Sequence, residues 1–290
     1  MNLAPTVDGL AELAGWGVGG GERRFLVVGS ARILGPTPYE DVNALLLDFL
    51  ARVRVVLGER LVGFYLYGSL SLGDFDRESS DVDFLIVTTD DLPGKVLDEL
   101  REMHASIASS GLAFANRLEG SYIPLAALRR YDPQNAFHAT IGVDWEFHVG
   151  QHGSYWVIER YIVREHGVVV WGPSPSTLID PVSQRELREA VCEMLRGFWN
   201  DQLTGPEWLR PRDYQAFAVL TMCRAFYTLS GGSVVSKPEA AAWACQTLDA
   251  KWRPVIERAL DWRHQHEKDD LTETLDFLRF AVMYGKELCG

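Results

Sequence analysis

Leu61–Val87 reads LVGFYLYGSLSLGDFDRESSDVDFLIV, and the fold turns on how this stretch is parsed. Leu61–Leu66 is an apolar run rich in aromatic and aliphatic side chains, which predicts a strand ending at Gly68-Ser69. A short helix start and a polar loop follow. A second apolar run, Phe84–Val87, is opened by Asp81-Val82-Asp83. Residues i and i+2 of a strand share a face, so Asp81 and Asp83 are expected on one side with Cα atoms about 6.6 Å apart. Two carboxylates at that spacing repel each other unless a cation lies between them. Mg2+ takes oxygen ligands and is commonly held by one or two carboxylates together with substrate phosphates. Gly68 lets backbone approach a phosphate, and free N–H groups at the following helix start favour anions. A Gly-Ser alone is an ordinary turn, and an Asp-x-Asp alone is an ordinary strand end. Their order and spacing between two apolar runs make the combination specific.

The chain has 290 residues with 28 basic and 40 acidic side chains, a net charge of −12. That length supports one large domain or two ordinary ones. The acidic balance argues against broad nucleic-acid binding, which needs Lys and Arg to neutralise phosphates. Cys192, Cys223, Cys245 and Cys289 are far apart and form no C-x-x-C pair, so neither a zinc site nor a small disulfide scaffold is expected. They read as buried or incidental thiols in a reducing compartment. No apolar run is long enough to span a membrane, and the N-terminus lacks a basic-then-apolar leader. A cytoplasmic monomer without membrane or nucleic-acid partners is expected.

Outward from the central stretch, Met1–Gly35 stands apart as an extension of undetermined role. Its Gly15–Gly21 run contains a G-x-G-x-x-G match without a preceding strand, which reads as a glycine linker. Phe25–Gly29 is an added strand or a tail. Val42, Leu45, Leu46, Phe49, Leu50, Val53 and Val56 form a helical stripe, and Val96, Leu97, Leu100, Met103 and Ile107 form a second. Leu118–Leu125 reads as a short strand carrying Glu119, the natural third carboxylate if that strand lies beside the one holding Asp81 and Asp83. Ile141–Tyr161 is dense in aromatics, including Trp145. Its His148-x-x-x-His152 has helical metal spacing, but the neighbouring glycines argue against a helix and therefore against zinc.

Val168–Trp171 reads as a last strand, and from Pro181 onward the pattern is helical. Ser236 is an expected N-cap and Gly231-Gly232 an expected stop. On one predicted helix Asp213 and Arg224 are eleven residues apart, about 16 Å along its axis. They share a stripe with Phe217 and Leu220. Charges on such a face are costly unless paired or facing a cleft.

Gly68-Ser69 followed by Asp81-x-Asp83 resembles the nucleotidyltransferase superfamily. From Thr37 onward the chain is similar to the aminoglycoside nucleotidyltransferases, specifically the streptomycin/spectinomycin adenylyltransferases. The resemblance rests on YLYGSLSLGDF, SSDVDFLIV, LEGSYI, the WGP turn and RAFYTLSGGSVVSKPEAAAW. It implies an α+β fold in three parts: an extension at 1–35, a mixed-sheet nucleotidyltransferase domain with flanking helices at 36–175, and an all-α bundle at 176–290. It further implies transfer of AMP from ATP to a drug hydroxyl with Mg2+, in two ions. Asp81 and Asp83 would bind metal, Glu119 would act as base, and Gly68, Ser69, Arg224 and Lys237 would hold the nucleotide. Trp145 and Asp213 would line the pocket for a cationic aminoglycoside or aminocyclitol. The extension and the Trp199–Asp213 loop depart from the family's pattern. The alternatives are a nucleotidyltransferase acting on a protein or metabolite hydroxyl, and a non-catalytic nucleotide-binding module.

Overall fold

A computed structural model describes residues 25–28, 31–142, 146–262 and 271–289. The Gly15–Gly21 run and Trp145 lie outside these residues. The chain divides into two compact units, a sheet unit that runs to His152 and resumes at Ile162–Pro181, and a helical unit made of Gly153–Tyr161 and Val182–Gly290.

In the sheet unit, β1 (Phe25–Val28) and β2 (Ala31–Leu34) pair as an antiparallel ribbon. The main sheet contains β3 (Leu61–Leu66), β4 (Val82–Thr88), β5 (Leu118–Pro124), β6 (Phe137–Ile141), β7 (Phe147–Gln151) and β8 (Val168–Trp171). Their order is β7-β6-β5-β4-β3-β8. β4 and β5 run parallel, and the other described neighbours are antiparallel. A parallel pair needs a long crossover, and the helix Gly94–Ala108 lies within that connection.

The first helical stripe falls on α1 (Glu40–Leu57), where Val42, Leu45, Leu46, Phe49, Leu50 and Val53 are fully buried. With Leu100, Met103 and Ile107 of the crossover helix they cover Phe64, Leu66, Val82, Phe84 and Ile86 on one sheet face. Alternation along β4 therefore sends Asp83 to the other face.

His104 sits inside this core, 2 % exposed, with Nε2 2.7 Å from the Tyr122 hydroxyl oxygen. Its ring packs against Phe49, Phe84 and Phe147. Burial pushes the His104 imidazole down to about 3. The unfolded chain protonates that ring near 6.5, so between these values the unfolded state binds the extra proton. Stability from His104 is complete above about pH 6.5 and is lost as pH falls toward 3. At pH 5 the loss is about 2 kcal/mol. His104→Gln should flatten this part of the profile. Urea melts of both proteins at pH 7 and pH 5 test it, and equal acid sensitivity in the two would exclude His104 as the cause.

In the helical unit, the helix Arg212–Gly231 buries Ala216, Ala218, Val219, Met222, Cys223, Ala225, Phe226 and Leu229. Burial around so much of its circumference marks a central helix. It packs against the helices Gln184–Met194, Lys237–Thr247, Arg253–Leu260 and Leu271–Leu288. Ser236 accepts from the Glu239 N–H as the N-cap, and Gly232 ends the central helix at φ +64°.

The cysteines correct the sequence expectation. Cys192 and Cys289 form a disulfide across a sequence separation of 97 residues, while Cys223 and Cys245 are free. Spacing rules detect local cysteine motifs, and this pair is brought together by helix packing. The premise of four thiols, on which a reducing compartment was inferred, does not hold. Among the described residues no helix is long and apolar enough to cross a membrane.

Candidate active site

The turn after β3 opens on Gly68 at φ +60°, a conformation L side chains rarely adopt. A Cβ at this position would overlap Asp83 Oδ2. Glycine is therefore required twice, by the backbone angle and by the carboxylate packed over it. The turn is tied to β4 by the Tyr67 N–H donating to the Asp83 carbonyl at 3.1 Å. The short helix Gly68–Leu72 follows and closes at Gly73. Ser69 Oγ is shut off from solvent and has no hydrogen-bond partner among the described residues.

The parallel register pairs Asp83 of β4 directly with Glu119 of β5. Neighbouring residues in register point to the same face, so the condition attached to Glu119 in the sequence is met. Asp81 lies one residue before β4. Its Oδ1 is 3.9 Å from Arg117 Nε, with the Asp81 side chain 41 % exposed. All three carboxylate residues are partly buried, unlike Leu85 and Val87 farther along β4, which are fully buried.

These residues fit a hard divalent cation in part. Asp81, Asp83 and Glu119 supply only oxygen donors, the chemistry Mg2+ prefers. Among the described residues no three His, Cys, Asp or Glu side chains form a complete metal group. A cation here would need ligands from elsewhere, and substrate phosphates are the usual source. The orphaned Ser69 hydroxyl, beside the glycine turn, is a donor suited to one of those phosphate oxygens.

His148 and His152 do not share a helix. His148 is on β7, exposed, with Nδ1 3.0 Å from the Glu146 carbonyl oxygen. His152 is buried, with Nε2 3.2 Å from Ser121 Oγ.

Arg224, Lys237 and Asp213 all belong to the helical unit. Asp213 is exposed at the start of the central helix, and Phe217, one turn on, is 43 % exposed. Trp199, Trp208, Tyr214 and Phe217 form a connected aromatic group around that end. Lys237 Nζ stands 4.4 Å from the centre of the Phe217 ring.

Two charged residues escaped the sequence reading. Arg117 immediately precedes β5, and the legible signal was its place two residues before Glu119. Glu159 lies on the helix Tyr155–His166, where burial raises its carboxyl above the usual range and the charges of Arg224 and Lys237 oppose that rise. The signal was an acid three residues from both Trp156 and Ile162, an apolar helix face.

Comparison with known proteins follows the same division. A family model described as a nucleotidyltransferase domain matches residues 51–113. A second, described as the C-terminal domain of aminoglycoside adenylyltransferase, matches residues 177–286. An aminoglycoside (3'') (9) adenylyltransferase of Escherichia coli is 36 % identical over 123 residues, 42 % of this chain and 44 % of the relative. The match thus spans less than half of that relative's length. A spectinomycin 9-adenylyltransferase of Staphylococcus aureus is 26 % identical over 229 residues, 74 % of this chain and 81 % of the relative. The crystal structure of a spectinomycin adenyltransferase from Enterococcus faecialis, with ATP and spectinomycin, superposes at a TM-score of 0.66. That alignment has 16 % identity and covers 83 % of this chain and 98 % of the other, a likeness of fold. With one family model on each unit, in the order sheet then helices, the chain is similar to the aminoglycoside nucleotidyltransferases along both units.

Proposed function

We propose that the chain transfers AMP from ATP to a hydroxyl of a cationic aminoglycoside or aminocyclitol, with streptomycin and spectinomycin as the first candidates. The observation that carries this reading is the pairing of Asp83 with Glu119 across parallel strands, beside a turn that only glycine fits. Asp81 and Asp83 would hold Mg2+, which when bound would offset triphosphate charge and polarise the phosphoryl group under attack. Gly68 admits the triphosphate to the backbone, and Ser69 donates to one of its oxygens. Glu119 takes the proton of the acceptor hydroxyl as its oxygen bonds to the α-phosphorus. The bond from that phosphorus to the bridging oxygen breaks, and its electron pair leaves with pyrophosphate. Arg224 and Lys237 are assigned to the triphosphate, whose leaving end gains charge in the transition state. Asp213 and Trp145 are assigned to the acceptor. A carboxylate near an exposed aromatic ring suits an ammonium or guanidinium group, and exposed Phe217, one turn from Asp213, supports that assignment.

Incubation with ATP and Mg2+ against a drug panel, read by mass spectrometry, tests the proposal. One AMP added to a single drug, with pyrophosphate released, is the expected result. ATP consumption without a drug adduct would move the acceptor to a protein or metabolite hydroxyl. Failure to bind ATP would overturn the reading.

A further inference from the structure

Arg117 stands beside the carboxylates and has no part in the scheme above. It belongs to the same sheet unit as Gly68, Asp81 and Asp83. Its backbone is fixed on both sides. The Arg117 N–H donates to the Phe114 carbonyl at 2.8 Å, and its own carbonyl accepts from the N–H of Val82, the residue after Asp81, at 2.7 Å. The guanidinium is held as well. Nη1 donates to the Arg77 carbonyl at 2.9 Å, and the group lies 5.2 Å from the centre of the Phe114 ring. Arg77 is itself anchored, its Nη1 donating to Asp41 Oδ1 at 3.0 Å in the first turn of α1. Arg117 is thus a cation set in place before any ligand arrives.

Asp81 alone does not account for it. The 3.9 Å from Arg117 Nε to Asp81 Oδ1 is too long for a hydrogen bond. The two side chains are 23 % and 41 % exposed, and ion pairs open to water gain little. Among the described residues Nη1 is the guanidinium nitrogen that makes a hydrogen bond, so donors of the fork remain for a ligand. Charge decides which ligand. A cationic acceptor is repelled by Arg117, whereas the nucleotide brings a chain of anionic phosphates. Oxygens that share one Mg2+ at about 2.1 Å lie about 3 Å from one another. A phosphate oxygen sharing a cation with Asp81 is therefore within reach of a guanidinium beside that carboxylate. A planar fork held in one orientation suits such an oxygen better than a mobile ammonium does.

We propose that Arg117 is a further nucleotide-binding residue, whose guanidinium donates to the phosphate chain of the metal-bound triphosphate. The proposal rests on the reading of Asp81 and Asp83 as the metal ligands. The competing role is purely structural, in which Arg117 ties the loop before β4 to the start of β5 and touches no ligand.

Calorimetry of MgATP binding to the full chain, at several KCl concentrations, separates the two. Arg117→Gln removes the charge. MgATP binding should weaken about 10- to 100-fold, the range spanned by a hydrogen bond to a charged group. The affinity that remains should fall less steeply with KCl than that of wild type, because salt screens a charge contact. In turnover KM for ATP rises by a similar factor, while KM for the acceptor holds. A structural role gives another pattern: a lower melting temperature, a shifted acceptor KM and a salt slope like that of wild type. That pattern, or MgATP affinity equal to wild type, overturns the proposal and leaves the nucleotidyl reading intact. Should Arg117→Gln not fold, Arg117→Lys carries the test. Its ammonium keeps the charge but lacks the fork that serves the Arg77 carbonyl and a phosphate together. MgATP binding should weaken there too, and unchanged affinity overturns the proposal. A wild-type chain that binds no MgATP removes both readings.

Discussion

Asp83→Asn is expected to reduce AMP transfer by about 10³-fold or more while leaving the melting temperature unchanged. The size follows from its role. A metal ligand on a phosphoryl group contributes several kcal/mol to the transition state, and each 1.36 kcal/mol is a factor of ten in rate. The stability half follows from geometry. Asparagine has nearly the same shape, so it still fits over the Cα of Gly68, and the Asp83 main-chain bond to Tyr67 does not involve the side chain. The reverse substitution separates packing from chemistry. Gly68→Ala keeps every carboxylate residue but drives a Cβ into Asp83 at a φ that disfavours it, so the Asp83 side chain must move. A loss of activity in Asp83→Asn, with melting curves that superpose on wild type, would assign the defect to metal binding. Transfer within a factor of ten of wild type would remove Asp83 from the metal site.

What could be read from the sequence, and what could not, divides along the reach of the signal. The strand-turn-strand at Leu61–Val87 announces itself because two continuous apolar runs, a glycine and two acids all lie within 27 residues. The helical stripe on α1 is equally local, and every position from Val42 to Val53 in it is buried as expected. Glu119 was legible only conditionally, because pairing of β4 with β5 depends on a crossover that periodicity does not fix. The β6–β7 hairpin was not read at all. Its burial is ragged, with Phe137 63 % exposed and His138 buried, so the alternation that marks a half-buried strand is inverted. The Cys192–Cys289 bridge joins residues 97 apart in sequence, and no local spacing encodes it. Glu159 also shows why a single boundary after Pro175 was the natural reading. The helix Tyr155–His166 is one continuous apolar pattern, yet its first half groups with one unit and its end with the other.

Glu119→Gln separates two roles that its position allows. In register with Asp83, its carboxylate could serve as a third ligand beside Asp81 and Asp83 or as the acceptor's base. The two make different kinetic predictions. Loss of a ligand weakens the hold on the metal–nucleotide complex, so KM for ATP rises and added Mg2+ restores part of the rate. Loss of a base leaves nucleotide binding alone and lowers kcat by about 10²–10⁴-fold, because proton removal matters only as the hydroxyl attacks. The base role is the expected outcome. Asp83 already faces the glycine turn, and Asp81 precedes the same strand, so two oxygens are supplied from one side while Glu119 comes from the neighbouring strand. A base further predicts that the wild-type rate falls at low pH, when the carboxylate is protonated, and that the small residual rate of Glu119→Gln loses this dependence. Rates measured across pH at saturating ATP and Mg2+ read both effects at once. A variant whose kcat recovers with Mg2+ concentration would make Glu119 a ligand instead.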